Sequence, residues 1–520
     1  MRAMEALGMG LALVLAATPA MAEIKQAQTT GGMVEGETVG PLSEFKGIPF
    51  AAPPAGANRW RAPQPVIPWV GTRKTTAFGP ACMQGEQLAR QMGSTAPLSE
   101  DCLYIDVWTP AGAATDKLPV IAWIYGGGFN SGMSSVPLYD GANFAKQGVV
   151  FVAINYRVGP FGFLATPELS AESGHGSGNF GLLDIVKGLE WVRDNVGNFG
   201  GDPANVTIMG HSAGAMAVSN LLASPLAKGL FAKAIAESGS SFAPPQTAPG
   251  QPGSMLSALA FAETNGKSWL DSLGVHNLAQ ARQLPADVID AGQRATGAPR
   301  FAPTVDAYVI PGDQSALWQA REFSDVPVLL GTNSFEFPSR SPTTPAAFED
   351  MVRTTYGSAA PAILRAYPHR SDAEAQKAAG MLGSDGTFGW NGYTWARLQS
   401  QNGTAPVYAY WFHRPTAASP DGSAHGSEVA LVFGNEDARR GGWSAEDRAL
   451  SEELQGYWVN FAKTGNPNGT GPNGVERPQW PAFASGKPTV MQLGAESKPI
   501  PVPNAARLAA LDQYFAARRN

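Results

Sequence analysis

Two stretches, "LPVIAWIY" at residues 118–125 and "VVFVAINY" at 149–156, are apolar at nearly every position. A strand covered on both faces has no polar side, so these short unbroken runs predict interior strands of a parallel sheet. At 181–196, "GLLDIVKGLEWVRDNV" repeats its apolar residues at helical spacing instead. Val206, Thr207, Ile208 and Met209 form the next strand candidate, and small residues from Ala213 lead into a helical stretch ending near Pro225. "VPVLLGTN" and "APVYAYWF" predict two further strands. Strands alternating with helices imply an α/β fold: a large, mostly parallel central sheet with helices on both faces. Residues 244–303 and 338–403 are richer in helix formers and loops and read as insertions over the sheet's working edge.

Composition narrows the function classes. With 44% hydrophobic and 15% charged residues, the chain can bury a large core and is too poor in charge for a disordered protein. A formal net charge of -6 with no basic run argues against a nucleic-acid partner. No Cys/His spacing suggests a metal, and no cofactor is expected. No linker or internal repeat divides the chain, so residues 23–520 are expected to form a single catalytic domain. The first 22 residues hold one Arg, a short apolar stretch and Ala20-Met21-Ala22, the layout of an export signal cleaved after Ala22, although Glu5 interrupts the positive region. A membrane anchor is the rival reading, but the stretch falls short of the ~20 apolar residues a span needs, so no stable membrane span is expected. Export, to the periplasm or the medium, is an oxidising destination, and Cys82 and Cys102 are the only cysteines available to pair there. Two buried thiols are the alternative.

The candidate chemistry centres on "GHSAG", residues 210–214. A chain with 60 Gly in 520 residues can meet G-x-S-x-G by chance, so the context decides. Here a strand precedes Ser212 and a helix follows, as a nucleophile elbow requires, and the flanking glycines relieve crowding at the sharp turn. A serine acyl hydrolase also needs donors for the oxyanion, and the glycines of "WIYGGGFNSG" can offer backbone N–H groups. Alone, that run reads as a flexible turn.

These motifs and their order resemble the type-B carboxylesterase and cholinesterase family of α/β-hydrolases. "FKGIPFAAPPAGANRWRAPQP", "SEDCLYIDVW", the run from Pro119 to Phe242 and "YWVNFAKTGNPNG" carry the likeness over nearly the whole mature chain. The resemblance implies that Ser212 is the nucleophile and that Gly127, Gly128 and Ala213 supply the oxyanion donors. It pairs Cys82 with Cys102 and makes Arg59–Glu100 and Arg157–Asp184 structural ion pairs. Ser238 matches a serine that supports the catalytic histidine, a buried hydroxyl satisfied by backbone being equally open. In the order serine, acid, histidine, only His276, His369, His413 and His425 follow the nucleophile. "DGSAHGSEVALVFGN" places His425 in a loop after a strand and resembles the family's H-G-x-E segment, whereas His413 reads as structural. Glu336 in "PVLLGTNSFEF" matches the family's acid, though Phe335 and Phe337 replace the usual Asp and Gly; Asp306 is the fallback.

The implied activity is hydrolysis of carboxylic esters through an acyl-enzyme. The resemblance also admits amide, carbamate or polyester bonds as targets, or a non-catalytic binding module, although such modules lack one or more triad residues. Phe129, Phe242, Phe335, Phe337, Trp390 and Trp395 are candidates to line an apolar gorge. His211 stands where the family usually has Glu, and the loop between the cysteines has no aromatic residue to face a quaternary ammonium. A small, neutral, fairly hydrophobic ester is therefore expected rather than a choline ester.

Overall fold

The structure is a computed structural model that describes residues 24–519, apart from 254, 340, 418, 439–441 and 471–475. The expected export signal lies outside the described residues. One large sheet dominates. Its strands in chain order are β1 (Glu37–Val39), β2 (Leu42–Pro49), β3 (Tyr104–Thr109), β4 (Leu118–Ile124), β5 (Val150–Ile154), β6 (Gly201–His211), β7 (Lys233–Glu237), β8 (Val328–Asn333), β9 (Val407–His413), β10 (Thr489–Gly494) and β11 (Lys498–Pro501). Across the sheet they run β11-β10-β9-β8-β7-β6-β4-β5-β3-β2-β1. The stretch from β10 to β5 is parallel throughout, and the strands at both edges pair antiparallel.

Every residue of β5, β7 and β8 is buried. Since successive side chains point to opposite faces, both faces of the sheet must be covered, as the unbroken apolar runs predict. The covering helices include α1 (Phe180–Asn195), α2 (Ala213–Ala223), α3 (Trp390–Asn402) and α4 (Ala445–Thr464). α1 buries Leu182, Ile185, Leu189 and Val192, the stripe its sequence announces. α2 has no exposed residue, which its small side chains permit between neighbouring layers.

All five sequence-read strands form, each within two residues of its expected start except β6. That strand begins at Gly201, because its first residues join β4 before a register shift that ends at Val206. Proline and charge in "GGDPANV" hide this extension from a hydrophobicity pattern. Both expected insertions carry helices, Leu259–Ser272 and Ala286–Gln293 in the first and Pro345–Tyr356 and Asp372–Ser384 in the second, the second being the more helical.

Three covalent or ionic ties cross-link the chain. Cys82 and Cys102 are joined as a disulfide. Arg59 grips Glu100 with two hydrogen bonds of 2.6 and 2.5 Å. Arg157, just beyond β5, grips Asp184 of α1 with two of 2.7 Å, both side chains being almost wholly buried.

Candidate active site

β6 ends at His211 and the chain enters α2 at once, so Ser212 must take φ 58° and ψ −123°. Such a conformation is strained for a residue with a Cβ, and it persists because the surroundings over-determine it. The Ser212 N–H donates to the Glu237 carbonyl on the next strand at 2.8 Å, and the Ser212 carbonyl accepts from Met216 N–H at 2.9 Å. The glycines of the motif are steric requirements: a Cβ on Gly210 would lie 2.5 Å from the Gly214 backbone, and one on Gly214 2.0 Å from the Ile124 carbonyl oxygen.

Glu336 follows β8 by three residues and is almost fully buried. Its Oε1 accepts from the Asn333 N–H at 2.7 Å, and its Oε2 lies 2.7 Å from His425 Nδ1. The other ring nitrogen, Nε2, lies 2.8 Å from Ser212 Oγ. The three sequence-expected residues are thus brought into one hydrogen-bonded line. The loops bearing Glu336 and His425 are laced together by backbone: His425 N–H donates to the Glu336 carbonyl at 2.8 Å and Phe335 N–H to the Ser423 carbonyl at 3.0 Å. Asn333 Nδ2 adds a bond to the Ala424 carbonyl at 2.8 Å.

Burial disfavours charge on His425, but the hydrogen bond and charge of Glu336, helped by Glu428, outweigh it and raise its pKa above the ordinary imidazole value. His211 sits against it with ring centroids 4.7 Å apart. Burial first, and the neighbouring His425 second, press the His211 pKa well down, so this ring stays neutral. Behind His425 lies a buried acidic group. Glu428 accepts from Asn333 Nδ2 at 2.6 Å, and burial and the Glu336 charge push its pKa up. Burial first, and the charge of Glu428 second, also push the Glu237 pKa up, one oxygen accepting from Trp458 Nε1 at 2.6 Å.

Gly127 (φ 120°) and Gly128 (φ 64°) occupy the left-handed region that glycine tolerates. At Gly127 a Cβ would collide with the Ser131 carbonyl oxygen at 2.2 Å. Among the described residues the N–H groups of Gly127, Gly128 and Ala213 have no hydrogen-bond partner. Ser238 sits behind the site, but its hydroxyl donates to Glu428 Oε1 at 3.4 Å, so its support passes through that carboxyl rather than through the imidazole.

The remaining expectations divide. Asp306 Oδ1 accepts from the N–H groups of Tyr308, Val309 and Ile310 and is occupied in closing a turn. His413 pairs with Ser334 Oγ at 2.9 Å, a structural contact. Of the aromatic candidates, Phe337 packs on His425 at 4.7 Å and is half exposed. Phe242, Trp390 and Trp395 belong to the core: Phe242 packs on Trp318 and Trp395, and Trp390 on Phe515. Phe388, which the sequence reading missed, packs on His425 at 4.8 Å. It lies in a π-helical turn, Asp385–Gly389, that carries no pattern a periodicity argument can detect. Among the described residues no group of His, Cys, Asp and Glu side chains could hold a metal ion.

A strained serine at a strand-to-helix turn, a histidine between it and a carboxylate, and three unused N–H groups are the parts an acyl hydrolase needs. The sequence model of the Carboxylesterase family matches residues 23–511. The chain belongs to the carboxylesterase family. This carboxylesterase is 36% identical over 485 residues to the fumonisin B1 esterase of Sphingopyxis macrogoltabida, covering 90% of this chain and 86% of that one. It is 35% identical over 470 residues to the para-nitrobenzyl esterase of Bacillus subtilis (strain 168), covering 88% and 92%. A solved PNB esterase superposes with a TM-score of 0.81 at 32% identity, over 94% of this chain and 99% of that one. The carboxylesterase is accordingly a serine hydrolase of carboxylic esters on the α/β-hydrolase fold.

Proposed function

We propose that residues 23–520 form one exported catalytic domain and that Ser212, His425 and Glu336 hydrolyse carboxylic esters through an acyl-enzyme. The contact of 2.8 Å between His425 Nε2 and Ser212 Oγ, with Glu336 on the far nitrogen, carries the reading. As Ser212 Oγ attacks the ester carbon, its proton passes to His425 Nε2 and the carbonyl π electrons move onto oxygen. That oxygen is received by the N–H groups of Gly127, Gly128 and Ala213. When the tetrahedral intermediate collapses, the C–O bond to the alcohol breaks and His425 protonates the leaving oxygen. Water then repeats the sequence on the acyl-enzyme and frees the acid and Ser212. Glu336 holds the imidazole with Nδ1 protonated and stabilises the imidazolium between steps.

The faces of Phe337 and Phe388 support an apolar substrate group beside His425. The cysteine pair supports export. The decisive experiment is Ser212→Ala: aryl-ester hydrolysis should fall by about 10⁶ in kcat, as loss of a serine nucleophile does. A fall of less than about tenfold would remove Ser212 from the role.

A further inference from the structure

The His425 imidazole bonds Glu336 at Nδ1 and Ser212 at Nε2, and it also meets three aromatic rings. The ring centroids of Phe337, Phe388 and His211 lie 4.7, 4.8 and 4.7 Å from that of His425, with planes tilted by 39, 33 and 38°. Each tilt is nearer to stacking than to an edge-on contact. Phe337 and Phe388 also touch each other, at 5.7 Å.

Both phenyl rings are held by one short segment. Phe337 N–H donates to Ser384 Oγ at 3.1 Å, and Phe388 lies in the π-helical turn Asp385–Gly389 that follows. Such turns are rare and unfavourable by themselves, and they recur at functional sites. This one is firmly anchored. Asp385, almost wholly buried, accepts from Tyr367 Oη at 2.9 Å and from Asn504 Nδ2 and Arg507 Nε at 2.6 Å each. Asn391 Nδ2 donates to the carbonyls of Gly386 and Thr387 at 3.2 and 3.0 Å. The turn so fixed presents Phe388 to His425.

His425 becomes an imidazolium each time it takes the Ser212 proton. The charged groups facing it are Glu336 and, behind it, Glu428, while His211 stays neutral. Only 16% of the His425 side chain is exposed, so water solvates little of that cation. An aromatic face carries partial negative charge and attracts a cation within about 6 Å of its centroid. An aliphatic cover of similar size would exclude the same water without that attraction. We infer that Phe337 and Phe388 are positioning residues of the reaction: their rings hold the His425 imidazole in line with Ser212 and favour its cationic form. The inference rests on the triad reading above and adds to it two residues that act through the histidine.

The test is the pH profile of kcat/KM for phenyl acetate hydrolysis by the full chain, since its acid limb reports protonation of His425 in the free enzyme. Phe337→Leu and Phe388→Leu keep an apolar cover and remove the ring. In each the midpoint should fall by about half a pH unit, with kcat down about threefold and KM nearly unchanged. Phe337→Tyr keeps an aromatic face and should keep the wild-type midpoint. Phe337 is half exposed, so its variants decide the matter if Phe388→Leu fails to fold. A midpoint unmoved or raised in Phe337→Leu overturns the proposal, and so does a Phe337→Tyr midpoint that falls as far as the leucine one. A rise in KM alone would make the rings a wall for substrate, and a lower melting temperature alone would make them a structural pair; both results overturn it. The triad reading fails separately, if hydrolysis of phenyl acetate persists in Ser212→Ala.

Discussion

Replacing Glu336 by Gln tests the acid with almost no change of shape. Two donors converge on this buried carboxylate: the Asn333 N–H reaches Oε1 at 2.7 Å, and His425 Nδ1 lies 2.7 Å from Oε2. A carboxylate accepts from both, but an amide has one oxygen and one NH₂. If the amide oxygen faces His425, its NH₂ opposes the Asn333 N–H, donor against donor. If the NH₂ faces His425, the imidazole must carry its proton on Nε2 and cannot accept the Ser212 proton. Either outcome also removes the charge that stabilises the imidazolium. The expected loss is about 10³–10⁴ in kcat, or about 4–5.5 kcal/mol in the transition state, with KM little altered. Steady-state kinetics on an aryl ester with active-site titration would measure it. The charge and hydrogen bond of Glu336 help hold the His425 pKa up, so the acid limb of the residual activity should move to lower pH. A loss below tenfold would refute the reasoning, and a neutral Glu336→Gln beside an impaired Asp306→Asn would move the acid to Asp306.

Other outcomes are equally specific. His425 must be neutral to take the serine proton and its pKa is raised, so kcat/KM should fall with decreasing pH through a midpoint above the ordinary imidazole value of about 6.5; a midpoint below that value contradicts the electrostatics. In Gly214→Ala the new Cβ would lie 2.0 Å from the Ile124 carbonyl oxygen, so the elbow should distort, with lowered melting temperature and lost activity; a fully active, equally stable variant would show that the turn has slack. Peptide mapping of exported protein without reductant should find Cys82 and Cys102 linked, and free thiols there would contradict the pairing. The separation of 20 residues between them gives the bond about 3 kcal/mol of stabilisation, so paired serine substitutions should lower the urea midpoint. A choline ester should be hydrolysed no faster, in kcat/KM, than its isostere with tert-butyl in place of trimethylammonium; a tenfold preference would reveal a cation site.

The hydrogen-bonded line of Ser212, His425 and Glu336 was legible because its members sit at element ends that local pattern fixes. Ser212 lies between an apolar strand and a run of small residues, Glu336 follows "PVLLGTN", and His425 follows "APVYAYWF" by one loop. What lies beside the line was not legible. Phe242, Trp390 and Trp395 are as aromatic as Phe337, and only tertiary packing turns them into the core while Phe337 faces His425. Ser238 was expected to support the imidazole, yet its hydroxyl is spent on Glu428, whose approach from a separate segment the linear sequence does not show. Residue type sets the chemistry available, but which neighbour it meets across hundreds of residues is a property of the packed whole.

The backbone lacing between the Glu336 and His425 loops divides the machine into two bodies. Glu336 and His425 form one jaw, whose internal alignment is fixed by the bonds His425 N–H to the Glu336 carbonyl and Phe335 N–H to the Ser423 carbonyl. The other jaw is the elbow, with Ser212 anchored to the neighbouring strand through Glu237. Slippage between the jaws would leave the Glu336–His425 contact intact and change only the gap between Nε2 and Oγ. Distant mutations that loosen the fold should therefore weaken the nucleophile's activation first, while the imidazole keeps its tautomer and its partner.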